Sequence, residues 1–157
     1  MEIDIERQER ITAPLLLVWD EIDSLEQILA KSPQAFSYDM VPGGGRATIR
    51  ANLAWGPLKW SVEGETVLAD LVPQHRITYA LDVPSLELHY EATIEVDPVG
   101  DGETKLDYRG HLEARGRMAN RMRGMFSQIL EEHGTGIVRK VKVKAEQRRL
   151  AQERLLK

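Results

Sequence analysis

Two neighbouring segments alternate so regularly that they leave little freedom in the fold. Residues 86–97 place Leu86, Leu88, Tyr90, Ala92, Ile94 and Val96 on one face, with Glu87, His89, Glu91, Thr93 and Glu95 on the other. Residues 103–113 repeat this, with Thr104, Leu106, Tyr108, Gly110 and Leu112 against Lys105, Asp107, Arg109 and His111. A period of two with one apolar face marks half-buried antiparallel strands. From Gly116 the period becomes helical: Met118, Met122, Met125, Phe126, Ile129, His133, Ile137 and Val141 fall on one stripe. A one-sided sheet and a single long one-sided helix must cover each other. A helix over 117–156 would span about 60 Å, longer than a compact domain of this size is wide. It is therefore expected to overhang the body from about Lys142.

The hairpin register follows from charge. A loop centred on Gly100 sets Glu95 opposite Lys105, Glu91 opposite Arg109, His89 opposite His111 and Tyr90 opposite Gly110. A slip of two residues one way would oppose Glu95 to Glu103 and Glu91 to Asp107, which costs energy where the first register gains roughly 0.2–1 kcal/mol per pair. The slip the other way is disfavoured. The Gly100-centred register is the expected one, with the Tyr90 ring covering Gly110.

Upstream, residues 3–12 read as a strand ending at Thr12-Ala13-Pro14, followed by short helices at 15–22 and 25–31. Ser24 caps the second, and Ser32-Pro33 stops it. Strands follow at 36–41, 46–55, 58–71 and 75–83, separated by Pro42-Gly43-Gly44-Gly45, Gly56-Pro57 and Val72-Pro73-Gln74. The order defines an α+β fold. A seven-stranded curved antiparallel sheet wraps a long C-terminal helix, and two short helices after the first strand close one end. Residues 1–144 are expected to form the domain and 145–157 a basic helical extension. In the first strand the alternation Ile3, Ile5, Ile11 would turn Arg7 and Glu9 inward, so a bulge or an exposed strand end is expected there.

Particular residues add a resemblance. Ile11-Thr12-Ala13-Pro14 through Val18-Trp19, the Gly56-Pro57 step, Gly64, Leu68-Ala69-Asp70-Leu71-Val72-Pro73 and Gly102-Glu103-Thr104-Lys105-Leu106-Asp107-Tyr108 resemble motifs of the START-like helix-grip (SRPBCC) superfamily. Within it the chain looks most like the G-type subunits of carbon monoxide dehydrogenase and their relatives. The resemblance covers residues 3–140 and implies the same fold, with a cavity for a lipid-like molecule between helix and sheet. In that subgroup it implies a quinone-type ligand and attachment beside a membrane-associated redox enzyme. Other members of the superfamily are polyketide aromatases or cyclases.

The candidate ligand-lining residues are Tyr79, Tyr90, Ile94 and Tyr108 on the strands, with Met118, Met122, Met125, Phe126, Ile129 and His133 on the helix. Methionine is flexible and polarisable and suits a surface that adapts to its ligand, although such a stripe also builds an ordinary core. His133-Gly134-Thr135-Gly136 interrupts the helix with two glycines, each costing about 0.8–1.0 kcal/mol relative to alanine. Either the backbone approaches the sheet or a ligand closely, or the helix kinks. His133 then bonds a carbonyl-bearing ligand or a neighbouring strand.

Catalytic signals are few. The chain has no cysteine, no G-x-S-x-G elbow, and its Gly43-Gly44-Gly45 run joins strands rather than opening a helix, so no phosphate loop is expected. His133, Tyr79, Tyr90 and Tyr108 are the acid/base candidates and form no recognisable dyad in sequence. No catalytic residue, cofactor or metal is assigned, and His89 with His111 is read as an exposed, incidental pair. A non-catalytic carrier of a hydrophobic ligand is expected, with a cyclase-like enzyme and a ligand-free interaction module as alternatives. The N-terminus is acidic and alternating, unlike a secretory signal, and a cytoplasmic location is expected.

Charge is segregated. Residues 1–114 hold 9 Lys and Arg against 21 Asp and Glu, whereas residues 115–157 hold 12 against 4. Arg139, Lys140, Lys142, Lys144, Arg148 and Arg149 therefore serve either an anionic membrane or acidic partner, or the chain's own acidic body. Nucleic acid is disfavoured by that acidic body.

Overall fold

The computed structural model describes residues 1–32 and 36–156. The element order is β1 (Glu2–Ile11), α1 (Leu15–Trp19), α2 (Leu25–Leu29), β2 (Phe36–Met40), β3 (Arg46–Trp55), β4 (Leu58–Val72), β5 (Arg76–Val83), a 3-10 turn at Pro84–Leu86, β6 (Leu88–Pro98), β7 (Thr104–Ala114) and α3 (Arg123–Leu155). All seven strands pair antiparallel in one sheet, ordered β1-β7-β6-β5-β4-β3-β2. The α+β architecture is the expected one: a curved sheet wraps a long C-terminal helix. Pro33, the expected stop after α2, lies outside the described residues.

Local chemistry sets the corners. Ser24 accepts a hydrogen bond from the Gln27 N–H at 3.2 Å and caps α2. At the end of β1 the buried Thr104 hydroxyl donates to the Ala13 carbonyl at 2.8 Å, joining the β1–α1 corner to β7. Along β6 and β7 every inward residue from Leu88 to Val96 and from Thr104 to Ala114 is buried.

The hairpin register differs from the charge-based expectation. Tyr90 lies opposite Leu112, Ala92 opposite Gly110, Glu91 opposite His111, and Glu95 opposite Asp107. Turn geometry decides it. The Val99 N–H donates to the Glu103 carbonyl at 2.8 Å, leaving Gly100-Asp101-Gly102 as the tip, with Gly100 at φ +72°. A Gly100-centred loop of the same length would make Val99-Gly100-Asp101 the tip and put a β-branched residue, instead of Gly100, at the first position, where φ is positive. The charges find partners elsewhere: Arg109 reaches Glu6 on β1 at 3.7 Å, and Lys105 reaches Asp107 at 3.7 Å. The Tyr90 ring still covers Gly110, now diagonally, and a Cβ there would meet its Cε2 at 2.8 Å.

β1 has no bulge. Its register with β7 is continuous from Glu2 to Ile11, so Arg7 and Glu9 do face the helix. Their charges are met there: the Arg7 Nε donates to the Thr135 hydroxyl at 3.2 Å, and Glu9 pairs with Lys142 at 2.9 Å.

The helix is displaced at both ends. Residues 116–122 form turns instead of its first two turns, because the Arg115 N–H is held by the Glu87 carbonyl at 3.1 Å and the chain must change direction as it leaves the sheet. At the far end Ala145 is fully buried, the Thr12 N–H donates to Glu146 at 2.8 Å, and Arg148 pairs with Asp20 at 3.3 Å. The overhang expected from Lys142 therefore begins near Arg149, since α1 lies under this part of α3, and the helix is unbroken across 144 and 145.

Of the two helix glycines, Gly134 makes the close approach. A Cβ there would sit 2.9 Å from Cε1 of the buried Tyr108 ring, whereas one on Gly136 meets nothing within 4 Å. Nothing in the structure explains Gly136. Gly136→Ala should therefore gain up to about 1 kcal/mol of helix propensity. Gly134→Ala should lose that gain to an overpacking cost of about 1–3 kcal/mol. Urea denaturation of the two variants should give stability shifts of opposite sign.

Candidate functional site

Three strands and the helix converge on one polar cluster in the core. Tyr79 on β5, Tyr90 on β6 and Tyr108 on β7 are each at most 2 % exposed. The Tyr79 hydroxyl lies 3.2 Å from the Tyr108 hydroxyl and 3.0 Å from His133 Nε2, and the Tyr90 and Tyr108 hydroxyls are also hydrogen-bonded. His133 Nδ1 is enclosed without a hydrogen-bond partner.

Proton counting orders the cluster. If Tyr79 donates to His133 Nε2, Tyr108 to Tyr79, and Tyr90 to Tyr108, all hydroxyl protons are used and His133 carries its own proton on Nδ1. Reversing the chain strands the Tyr90 proton and leaves the Nδ1 lone pair facing no donor, two unsatisfied groups rather than one, each costing about 1–3 kcal/mol. The favoured arrangement leaves a single enclosed N–H donor.

Burial drives every member to its neutral form. Desolvation raises Tyr79 and Tyr108 well above the ordinary tyrosine value and pushes Tyr90 up to about 12. It lowers His133 to about 4. A histidine so weakly basic is a poor proton acceptor at neutral pH. The cluster is built to donate hydrogen bonds rather than to abstract protons.

Beside it run small apolar cavities. An inner one of about 40 Å³ is bordered by Phe36, Tyr79, Tyr90, Ile129 and His133. A second, of about 60 Å³, is bordered by Leu53, Val62, Leu86, Tyr90, Phe126 and Ile129. Next to it, sharing Leu86 and Phe126, an open recess of about 260 Å³ is lined by Arg117, Met118, Ala119 and Met122. These spaces trace a line from the surface to His133. The inner two hold a few waters at most, far below the roughly 300–1,000 Å³ of a ligand pocket, so the helix lies closer to the sheet than an open chamber requires.

The expected lining residues divide accordingly. Tyr79, Tyr90, Ile129 and His133 border the inner cavities, Phe126 the second cavity and the recess, and Met122 the recess. Ile94, Tyr108 and Met125 border none of these spaces and are fully buried core, while Met118 is 55 % exposed at the outer rim because it precedes the helix. Phe36, Leu81 and Leu130 border both inner cavities and were not expected. Leu130 lies four residues after Phe126, on the helical stripe, and was the one legible in the sequence.

The basic helix is largely paired with its own body. Lys140 donates to the Lys31 carbonyl at 3.2 Å, Lys142 pairs with Glu9 and Arg148 with Asp20 and Glu21, whereas Arg149 pairs with Glu153 one turn along the helix itself. Arg139 and Lys144 make no side-chain hydrogen bond or ion pair among the described residues. Beneath them the fully buried Lys31 ammonium is held 3.1 Å from Glu21, with burial lowering its pKa.

On the outer sheet face His89 opposes Glu113 rather than His111. His111 Nδ1 pairs with Asp4 at 2.6 Å, which raises its pKa. Glu2, His111 and Glu113 bring ligand atoms within 4.8 Å of one another on this exposed face. Among the described residues no helix is long and apolar enough to cross a membrane.

The fold and the site together define a helix-grip protein. The chain belongs to the polyketide cyclase / dehydrase and lipid transport family, whose model matches residues 2–142. Similar solved structures include a conserved protein from Geobacillus kaustophilus (12 % identity, 92 % of this chain and 96 % of that one, TM-score 0.73). The Zhui aromatase/cyclase from Streptomyces sp. R1128 is also similar (16 % identity, 94 % and 96 %, TM-score 0.64). So is norcoclaurine synthase from Thalictrum flavum (14 % identity, 90 % and 87 %, TM-score 0.59). At these identities the likeness shows the fold alone. No curated protein matches the chain in sequence.

The two histidines should titrate in opposite directions. In an NMR titration His133 should protonate near pH 4 and His111 above the ordinary histidine value of 6.5. For His133 the unfolded chain takes up a proton near 6.5 and the folded chain only near 4. Its contribution is thus complete above pH 6.5 and lost as pH falls through that window, by at most about 3 kcal/mol. Stability measured from pH 7 to 4 should fall less steeply for His133→Asn than for the parent.

Proposed function

We propose that this chain binds an uncharged, largely apolar small molecule carrying one hydrogen-bond acceptor, in the line of spaces between α3 and the sheet. The observation that carries this reading is the enclosed His133 Nδ1, a buried polar atom left without a partner beside apolar walls. A carbonyl placed there would satisfy it. A quinone, implied by the resemblance to the G-type subunits of carbon monoxide dehydrogenase, fits that requirement, having carbonyl acceptors and no charge. Binding requires the inner cavities to widen, and half-buried Phe36 and Ile129, which border both, are the side chains to move.

A second reading, cyclase-like chemistry of the kind the family name describes, is favoured by the Tyr79–His133 hydrogen bond inside the core. Hydroxyl and imidazole donors there would polarise a substrate carbonyl. The low basicity of His133 weighs against it as a general base and keeps binding as the leading function.

Two ligands separate the contributions: N-phenyl-1-naphthylamine, which lacks a carbonyl, and decyl-ubiquinone. Ala51→Leu, which fills the second cavity, should weaken both about tenfold. His133→Phe should weaken only the quinone, by about tenfold for one buried hydrogen bond. Absence of uptake of either ligand by the parent protein would remove the carrier reading. Consumption of a poly-β-ketone thioester by the parent but not by Tyr79→Phe would favour the enzyme.

A further inference from the structure

The segment linking β7 to α3 carries a dense, unpaired charge. Residues 115–123 read Arg-Gly-Arg-Met-Ala-Asn-Arg-Met-Arg, four cations without an acid in a chain of net charge −4. Arg115, Arg117, Arg121 and Arg123 are all exposed. Elsewhere Arg10, Arg46, Arg50, Arg76, Arg109 and Arg148 each find a carboxylate no farther than 3.8 Å away. None of the four linker arginines makes a side-chain hydrogen bond or ion pair among the described residues. Arg115 and Arg123 border an open groove with Glu2 and Glu113, and Arg117 shares the recess with Glu87; Arg121 borders neither, and Arg117 and Arg121 flank the exposed Met118.

Apolar side chains stand exposed at the same end of the sheet. Met118, between these two arginines, is 55 % exposed. β4 pairs with β5 only from Glu65 onward, so residues 58–64 run on beyond that pairing, held by β3 alone. At their tip Leu58 is 60 % exposed. Arg117, Met118 and Met122 line the open recess that leads toward the inner cavities.

We infer that this end docks on an anionic lipid surface, with Arg117 and Arg121 at the headgroups and Met118 and Leu58 in the interface. Cations interleaved with exposed apolar side chains match a bilayer surface, which offers negative charge above hydrocarbon; an acidic soluble partner would match only the charge. The docking end surrounds the recess, so an apolar ligand could pass between bilayer and cavity without crossing water. That purpose rests on the ligand-binding reading, but the surface attachment does not. The basic tail, mostly paired with its own body and lying at the opposite end of α3, is not the contact.

The test is sedimentation of the full chain with phosphatidylcholine vesicles, pure or containing about one-third phosphatidylserine. The parent should bind the anionic vesicles preferentially and release as salt rises. Arg117→Gln/Arg121→Gln should lower partitioning about thirtyfold without changing the melting temperature. Arg139→Gln/Lys144→Gln should leave partitioning unchanged, and Leu58→Ser/Met118→Ser should remove the salt-resistant part. Equal binding by parent and Arg117→Gln/Arg121→Gln, or no vesicle binding by the parent, overturns the inference. So does binding to soluble polyglutamate as tight as to vesicles, which would assign the surface to an acidic protein. Probe uptake, measured separately without vesicles, reports on the cavity whatever the vesicles show.

Discussion

Gly134 resting on the ring of Tyr108 sets the height of α3 above the sheet. Without a Cβ the helix backbone can approach the aromatic ring, and Ile137, Val141 and Ala145 beyond it are fully or almost fully buried. Tyr108 is in turn hydrogen-bonded to Tyr79 and Tyr90. Helix height, tyrosine network and the size of the flanking cavities are therefore one linked quantity. A helix held this low accounts for the small spaces beside His133.

The interior around the cluster is polar without being charged. Desolvation moves each tyrosine up and the histidine down in pKa, so at neutral pH none of them is ionised. An apolar molecule entering there meets hydrogen-bonding groups but no field that would demand a counter-charge. Ionised groups are concentrated elsewhere: in the Lys31–Glu21 pair under the short helices, along the outer sheet face, and in the linker arginines.

The sequence carried the architecture because period-two and helical patterns record burial directly, and strand bounds fell within a residue or two. It carried the hairpin register less well. The charges of Glu91 and Glu95 indicated one pairing, but Arg109 pairs with Glu6 on β1, Lys105 with Asp107 and Glu91 with His89 on their own strands, while the tip Gly100-Asp101-Gly102 sets a glycine where φ is positive. A bulge was expected in β1 because the alternation turned Arg7 and Glu9 inward; they do face inward, and the partners that make this tolerable, Thr135 and Lys142, lie over a hundred residues away and leave no local signal. The Tyr79–Tyr108–Tyr90–His133 cluster was visible as a set of candidates and not as a network, since its members come from different elements. The start of the helix was missed because Met118 and Met122 keep helical spacing through a segment that the sheet end holds in turns.

The polar ties of α3 to the rest of the molecule are unevenly spread. His133 to Tyr79, Thr135 to Arg7, Lys140 to Lys31, Lys142 to Glu9, Glu146 to Thr12 and Arg148 to Asp20 all lie from His133 onward. From Arg123 to Glu132, where the helix borders the cavities, apolar packing alone joins it to the sheet among the described residues. Directional bonds fix a position, whereas apolar contacts let surfaces slide at little cost. The helix is thus fixed in direction from His133 onward and held over the pocket by apolar contact alone, so that stretch is where room for a guest would come at the least cost in broken hydrogen bonds.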